Sequence, residues 1–191
     1  MRYYFLLLLL TASSLKGNCQ DNKTGKVQYS GMYEVGMLIG KAYTKVNSQI
    51  VQGISFKNYF TGVGVALDPY GFRTIPVFAQ FRYALHNNKS SPFAFASLGV
   101  SIPWNNGVIP EKYYNSDDTW HKLKVGPYAE AGIGYKVKLN DGHAMNLMLG
   151  YCYKRFNYTE RTNYYTDAQQ QYEDRYTYDY RRISLRVGFE F

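Results

Sequence analysis

The chain closes on RRISLRVGFEF, residues 181–191. Ile183, Leu185, Val187, Phe189 and Phe191 are apolar. Arg182, Ser184, Arg186, Gly188 and Glu190 between them are polar or lack a side chain. A strand sends successive side chains to opposite faces, so this period of two reads as a strand with one apolar and one wet side. It stops on a phenylalanine, with no polar tail. Such a strand needs a neighbour, and the first strand of the same chain serves if the sheet closes into a barrel.

The same alternation recurs upstream. MYEVGMLIGKA sets Tyr33, Val35, Met37 and Ile39 against Glu34, Gly36 and Gly40. IVQGISFK follows more weakly, with Ile50, Ile54 and Phe56 against Gly53, Ser55 and Lys57. FTGVGVALD and RTIPVFAQFRYAL carry Val63, Val65 and Leu67, then Ile75, Val77, Ala79, Phe81, Tyr83 and Leu85. PFAFASLGVSI, KVGPYAEAGIGYKVKL and AMNLMLGYCYK continue the pattern. That makes about eight strands, each near the length that crosses a bilayer when tilted. Helical periodicity is not apparent after the N-terminal segment.

Connectors alternate between short (KNY, HNNKS, NDG) and longer (YTKVNSQ, DPYGF, 103–121 and 158–180). Asp-Gly marks a tight hairpin. Short turns at one end and longer loops at the other are the pattern of an up-and-down transmembrane barrel, with both chain ends on the turn side.

Alternation alone leaves open whether the apolar face points inward, as in a soluble ligand-binding barrel, or outward to lipid. Glycine recurs in the polar rows, at Gly36, Gly40, Gly62, Gly64, Gly99, Gly132, Gly134, Gly150 and Gly188. Small residues there suit side chains that share a narrow lumen, whereas on an exposed face they would only weaken the strands. Aromatic residues gather near strand ends, at Tyr83, Trp104, Tyr135 and Tyr153. Both features favour apolar side out.

Residues 1–19 read as a secretory signal peptide. Arg2 supplies the positive start, an apolar run follows to Leu10, and Gly17 and Cys19 stand at −3 and −1 of a cut before Gln20. A lipoprotein role for Cys19 is the second reading, poorly served by Lys16-Gly17-Asn18. Residues 20–191 then form one barrel domain. Its one cysteine, Cys152, excludes an intramolecular disulfide. The net charge of +8 becomes +6 without Arg2 and Lys16, and the cations are scattered, so no nucleic-acid partner is expected. With 21 Tyr and 11 Phe, the chain is aromatic at 18%, which suits sheets and wet interfaces.

The stretches RTIPVFAQFRY, SPFAFASLG, GPYAEAGIGYK, LGYCYKRF and RRISLRVGFEF together resemble the porin-like outer-membrane β-barrel domain family. The resemblance implies an all-β fold, a single eight-stranded antiparallel up-and-down transmembrane β-barrel. It also implies an integral place in the outer membrane of a Gram-negative cell, with long loops extracellular. Outer-membrane lipid and lipopolysaccharide would be its surroundings. The barrel-assembly machinery would read Phe189 and Phe191 as an assembly signal. Ser97 departs from the pattern, standing at an inward position where relatives would carry an acidic side chain.

Eight strands enclose a lumen just wide enough for side chains. Glu34, Glu130 and Glu190 are expected to pair there with Lys57, Arg82, Lys136, Arg182 and Arg186, because unpaired buried charge is costly. Two readings follow: a polar plug, or a narrow path for ions or small polar solutes. His86, His121 and His143 fall in turns or at a loop edge, away from any matching Ser and carboxylate. The expectation is therefore no enzyme, no catalytic residue, no metal and no cofactor. The Tyr-rich segment 158–180 offers Tyr158, Tyr164, Tyr165 and Tyr172 as surface-loop contacts for a protein or glycan. Alternatively, its tyrosines extend two strands and pair across them, as the alternation of Tyr176, Tyr178 and Tyr180 suggests.

Overall fold

A computed structural model describes residues 27–86, 90–104, 120–139, 142–163 and 171–191, with side chains left undescribed at 120–123, 158, 160–163 and 171–174. The expected signal peptide, residues 1–19, lies outside these.

The chain is all-β. Its strands are β1 (Gln28–Ile39), β2 (Thr44–Phe56), β3 (Tyr59–Leu67), β4 (Thr74–Ala84), β5 (Ser90–Pro103), β6 (Trp120–Leu123), β7 (Gly126–Lys138), β8 (Ala144–Asn163) and β9 (Gln171–Glu190). Every pairing is antiparallel: β1 to β5 pair each with the next, β5 with β7, β7 with β8, β8 with β9, and β9 with β1 from Met32↔Glu190 to Ile39↔Ile183. Gly31 and Phe191 add reciprocal backbone bonds of 2.9 Å at the seam. The result is a closed up-and-down barrel of eight strands. The short β6 lies on β8 above β7 and continues the same edge, with Lys124 N–H donating to the Asn157 carbonyl at the break.

Parity assigns the two faces. Val63, Leu98 and Ile133 are 68%, 69% and 65% exposed, and the other apolar rows read from the sequence also point outward. The alternate residues are buried in the lumen. Four inner phenylalanines lie over cross-strand or neighbouring glycines: Phe78 beside Gly64, Phe93 beside Gly134, Phe95 beside Gly132 and Phe60 beside Gly62. A ring covers the bare backbone of a glycine and uses the space its missing Cβ leaves.

Several boundaries differ from the sequence reading. β2 begins at Thr44, so most of YTKVNSQ is strand and the first connector is only 40–43. Asn47 and Gln49 face inward while Val46 faces out, which blurs the apolar period without breaking the strand. β8 and β9 run for 20 residues each. They therefore absorb most of the expected loop 158–180, with Tyr158↔Tyr176, Phe156↔Tyr178 and Lys154↔Tyr180 in register. Of the four tyrosines proposed as loop contacts, Tyr158 and Tyr172 are strand residues, while Tyr164 and Tyr165 lie outside the described residues.

Candidate functional site

The lumen holds three tiers of charge. At the turn end, Glu190 accepts from Ser30 Oγ at 3.1 Å, Lys136 Nζ at 2.5 Å and Asn146 Nδ2 at 3.1 Å. β1, β7, β8 and β9 each supply one member, so this tier straddles the seam of the barrel.

The middle tier is buried. Glu34 takes Arg82 Nη2 on one carboxylate oxygen and Gln49 Nε2, at 2.5 Å, on the other. Arg186 Nε is 3.2 Å from that second oxygen, and Arg186 Nη1 is 2.6 Å from Glu130. Arg186 thus bridges the two carboxylates. Glu130 also accepts hydrogen bonds from Tyr128 OH at 2.7 Å and Ser184 Oγ at 2.5 Å. Arg82 also donates from Nε to Gln80 at 2.9 Å, and Gln80 donates to Ser97 Oγ at 3.1 Å. Ser97 is thus a neutral acceptor in the tier. The Arg82 guanidinium lies 5.6 and 5.3 Å from the Phe60 and Phe93 ring centres, and Arg186 is 5.6 Å from Phe95. Ring faces partly replace water around these cations.

The loop-end tier is built by a connector that turns inward. Asp68, just past β3, is buried and receives Lys154 Nζ at 2.9 Å and Arg182 Nη1 at 2.6 Å on one oxygen. Its other oxygen accepts the Tyr70 N–H at 2.9 Å. Lys154 goes on to the carbonyls of Tyr70 and Phe72, at 2.8 and 3.2 Å, and to Thr74 Oγ1 at 3.2 Å. One ammonium therefore ties the whole 68–74 segment across the mouth. Tyr70 is buried there, under an edge contact from Tyr180 at 5.9 Å. Gly71 sits at φ +67°, a backbone state that glycine adopts readily.

Of the eight residues expected in the lumen, seven are there; Glu34, Glu130 and Glu190 each have cationic partners, and Arg182 pairs with Asp68 instead. Lys57 is not among them. β2 ends at Phe56, and Lys57 forms a two-residue turn with Asn58, exposed, at φ 53°, its ammonium 5.3 Å from the Phe56 ring. Parity extrapolated past a strand end placed it wrongly. Asp68 and Lys154 were missed: Asp68 because a connector has no period, Lys154 although it continues the polar row of β8. Among the described residues four carboxylates thus face five cations in the lumen.

Phe189 is exposed and stacks on His143 at 5.3 Å; Phe191 stacks on Tyr33 at 5.4 Å. His86 donates its backbone N–H to Ser91 Oγ. Neither histidine enters a hydrogen-bonded chain with a serine and a carboxylate. Among the described residues no group of three or more His, Cys, Asp and Glu is arranged to hold a metal. Compared with known protein families and curated proteins, the chain matches none.

Proposed function

We propose that the chain is a non-enzymatic, integral outer-membrane β-barrel with a side-chain-filled lumen, serving a structural or surface-recognition role. The observation that carries this reading is the division of faces: apolar rows outward and paired charges inward. A soluble barrel would reverse that order, because an exposed apolar belt of this extent is unfavourable in water. From Arg181 to Phe191 the strand rises ten residues, which at about 3.3 Å each and a tilt of about 40° spans roughly 25 Å, the height of an outer-membrane apolar band. Exposed Trp104, Tyr83 and Tyr135 stand near the ends of that belt, where amphipathic rings favour the water interface. The resemblance to porin-like domains and the signal-peptide pattern point the same way, with the 68–74 mouth and the tall β8–β9 hairpin outside the cell. The reading predicts that the chain sediments with the outer membrane and resists carbonate extraction; release as a soluble periplasmic protein would sink it.

A second reading, a narrow channel, is favoured by one observation. Unpartnered polar atoms recur through the lumen, at Asn146 Oδ1, Gln49 Oε1, Arg182 Nε and Ser101 Oγ. Such atoms are places for water. Planar-bilayer recordings separate the two: a plugged barrel gives no discrete steps, and a channel gives small ones that grow in Arg186→Ala.

A further inference from the structure

We propose that a second copy of this chain docks on the outward face of β2 and β3, within the apolar belt, its Gln52 amide pairing with Gln52 of the first. This rests on the membrane reading above and adds a partner that the lumen network does not involve.

Through the belt, the outward rows of β1, β4, β5, β7, β8 and β9 carry apolar or aromatic side chains. β2 and β3 depart from this. Ser48, Gln52 and Thr61 point outward there, among Ile50, Ile54 and Val63. Gln52 stands four residues before Phe56, the last residue of β2. That is roughly 10 Å above the turn, at about 3.3 Å per residue and a tilt of about 40°. Exposed Phe56 and Tyr59 lie between Gln52 and the water at that end. Val63 is directly opposite on β3, and Thr61, opposite Ile54, stands diagonal to Gln52. The Gln52 side chain has no hydrogen-bond partner among the described residues.

A side-chain amide carries two donors and an acceptor. Acyl chains answer neither, so leaving these groups unpaired in lipid is costly. A partner must therefore bring both a donor and an acceptor to this depth. A second copy inserted the same way round does so by symmetry. A two-fold axis along the membrane normal beside Gln52 sets each amide N–H against the other amide oxygen. The partial charges of the amide are thus complementary to those of its own rotated image, and Thr61 adds a hydroxyl beside the pair. A different protein would have to hold a polar group at that depth independently. Ile50, Ile54 and Val63 around the amide are aliphatic and uncharged, so no like charges oppose the approach. Amides and hydroxyls join spanning segments in this way inside membranes.

The test uses the full mature chain in phosphatidylcholine vesicles, with donor and acceptor dyes at the N-termini of separate copies. Protease protection of the barrel is checked first in the same vesicles. Energy transfer should rise with the protein-to-lipid ratio and saturate as dimers form. Gln52→Leu should need an about tenfold higher ratio for half-maximal transfer, the worth of a reciprocal pair of hydrogen bonds in a membrane. Its urea midpoint should stay at or above that of the parent, because leucine suits lipid better than an unpaired amide. Single cysteines in a Cys152→Ser background map the face: Ile54→Cys should cross-link to a second copy on oxidation, and Ile133→Cys, on β7 at the far side of the barrel, should not. Equal half-maximal ratios for the parent and Gln52→Leu, or cross-linking at position 133 as readily as at 54, overturn the dimer while leaving the membrane reading intact. Cross-linking of Ile54→Cys in native membranes to a different protein alone overturns a second copy as the occupant. Failure to insert overturns both.

Discussion

Asp68 is a single carboxylate holding two buried cations, so replacing it by asparagine tests the charge logic of the lumen. The amide keeps the shape and can still accept the Tyr70 N–H. The charge is lost. At an effective dielectric near 20, attractions over 2.9 and 2.6 Å are each worth about 6 kcal/mol. The cost of taking the three charges out of water offsets most of that sum while the tier is complete. Without Asp68, Lys154 and Arg182 keep their desolvation and face each other with no anion between them. The expected loss is about 3–5 kcal/mol, the range for breaking a buried pair. Reversible urea unfolding in phospholipid vesicles, followed by tryptophan fluorescence, reads it. Adding Lys154→Met removes one stranded cation, so the double variant should be more stable than the summed single losses by at least about 1 kcal/mol. A loss under about 1 kcal/mol for Asp68→Asn, or strict additivity in the double variant, would refute the reasoning.

Gly132→Ala should destabilise by about 1–3 kcal/mol, because its Cβ would meet the Leu149 carbonyl at 2.2 Å and the Phe95 ring at 2.9 Å; the same urea assay reads it, and a neutral result would mean that the strands slide apart freely. Phe191→Ala removes the stack on Tyr33 but keeps the reciprocal backbone bonds to Gly31. Stability should fall by about 0.5–1.5 kcal/mol, while the yield of assembled barrel in cells falls much further if the terminus is an assembly signal. Asp179, beyond the apolar belt, accepts Arg155 Nε at 2.6 Å, and that hydrogen bond holds its carboxyl below the ordinary aspartate range. A carboxyl depressed in the folded state adds stability above its ordinary value of about 3.9 and loses it as the pH falls through the depressed one. Carboxyl NMR should therefore find Asp179 titrating low in the parent and higher in Arg155→Gln, where only the Tyr153 hydroxyl bond and Arg181 still depress it.

How much of this was legible in the sequence depends on what leaves a period. The outward rows repeat every second residue from Val63 to Leu67, from Ile75 to Tyr83 and from Ile183 to Phe189, so strand positions and facing could be read directly. β2 was half hidden because Asn47, Ser48 and Gln49 put polar groups on both faces. The β8–β9 hairpin was read as a loop because Arg175 to Asp179 are exposed at both parities, which leaves only the tyrosine alternation as a signal. In the lumen, Glu34, Arg82, Glu130, Arg186 and Glu190 follow from parity alone. Asp68 does not, since it reaches the interior through a connector that folds back, and only the unmatched cations Lys154 and Arg182 could have hinted at a missing carboxylate. Lys57 shows the converse: parity carries no meaning once the strand has turned.

The central claim is a closed barrel whose apolar face meets lipid, and gel mobility tests it most directly. The outer-membrane fraction is run in SDS, unheated and boiled, with the chain detected by an epitope tag. The account predicts two mobilities in that fraction, the unheated band migrating as a compact folded species and the boiled one near 22.1 kDa or slightly below after signal cleavage. A single mobility, with the chain recovered in the soluble fraction, would contradict it.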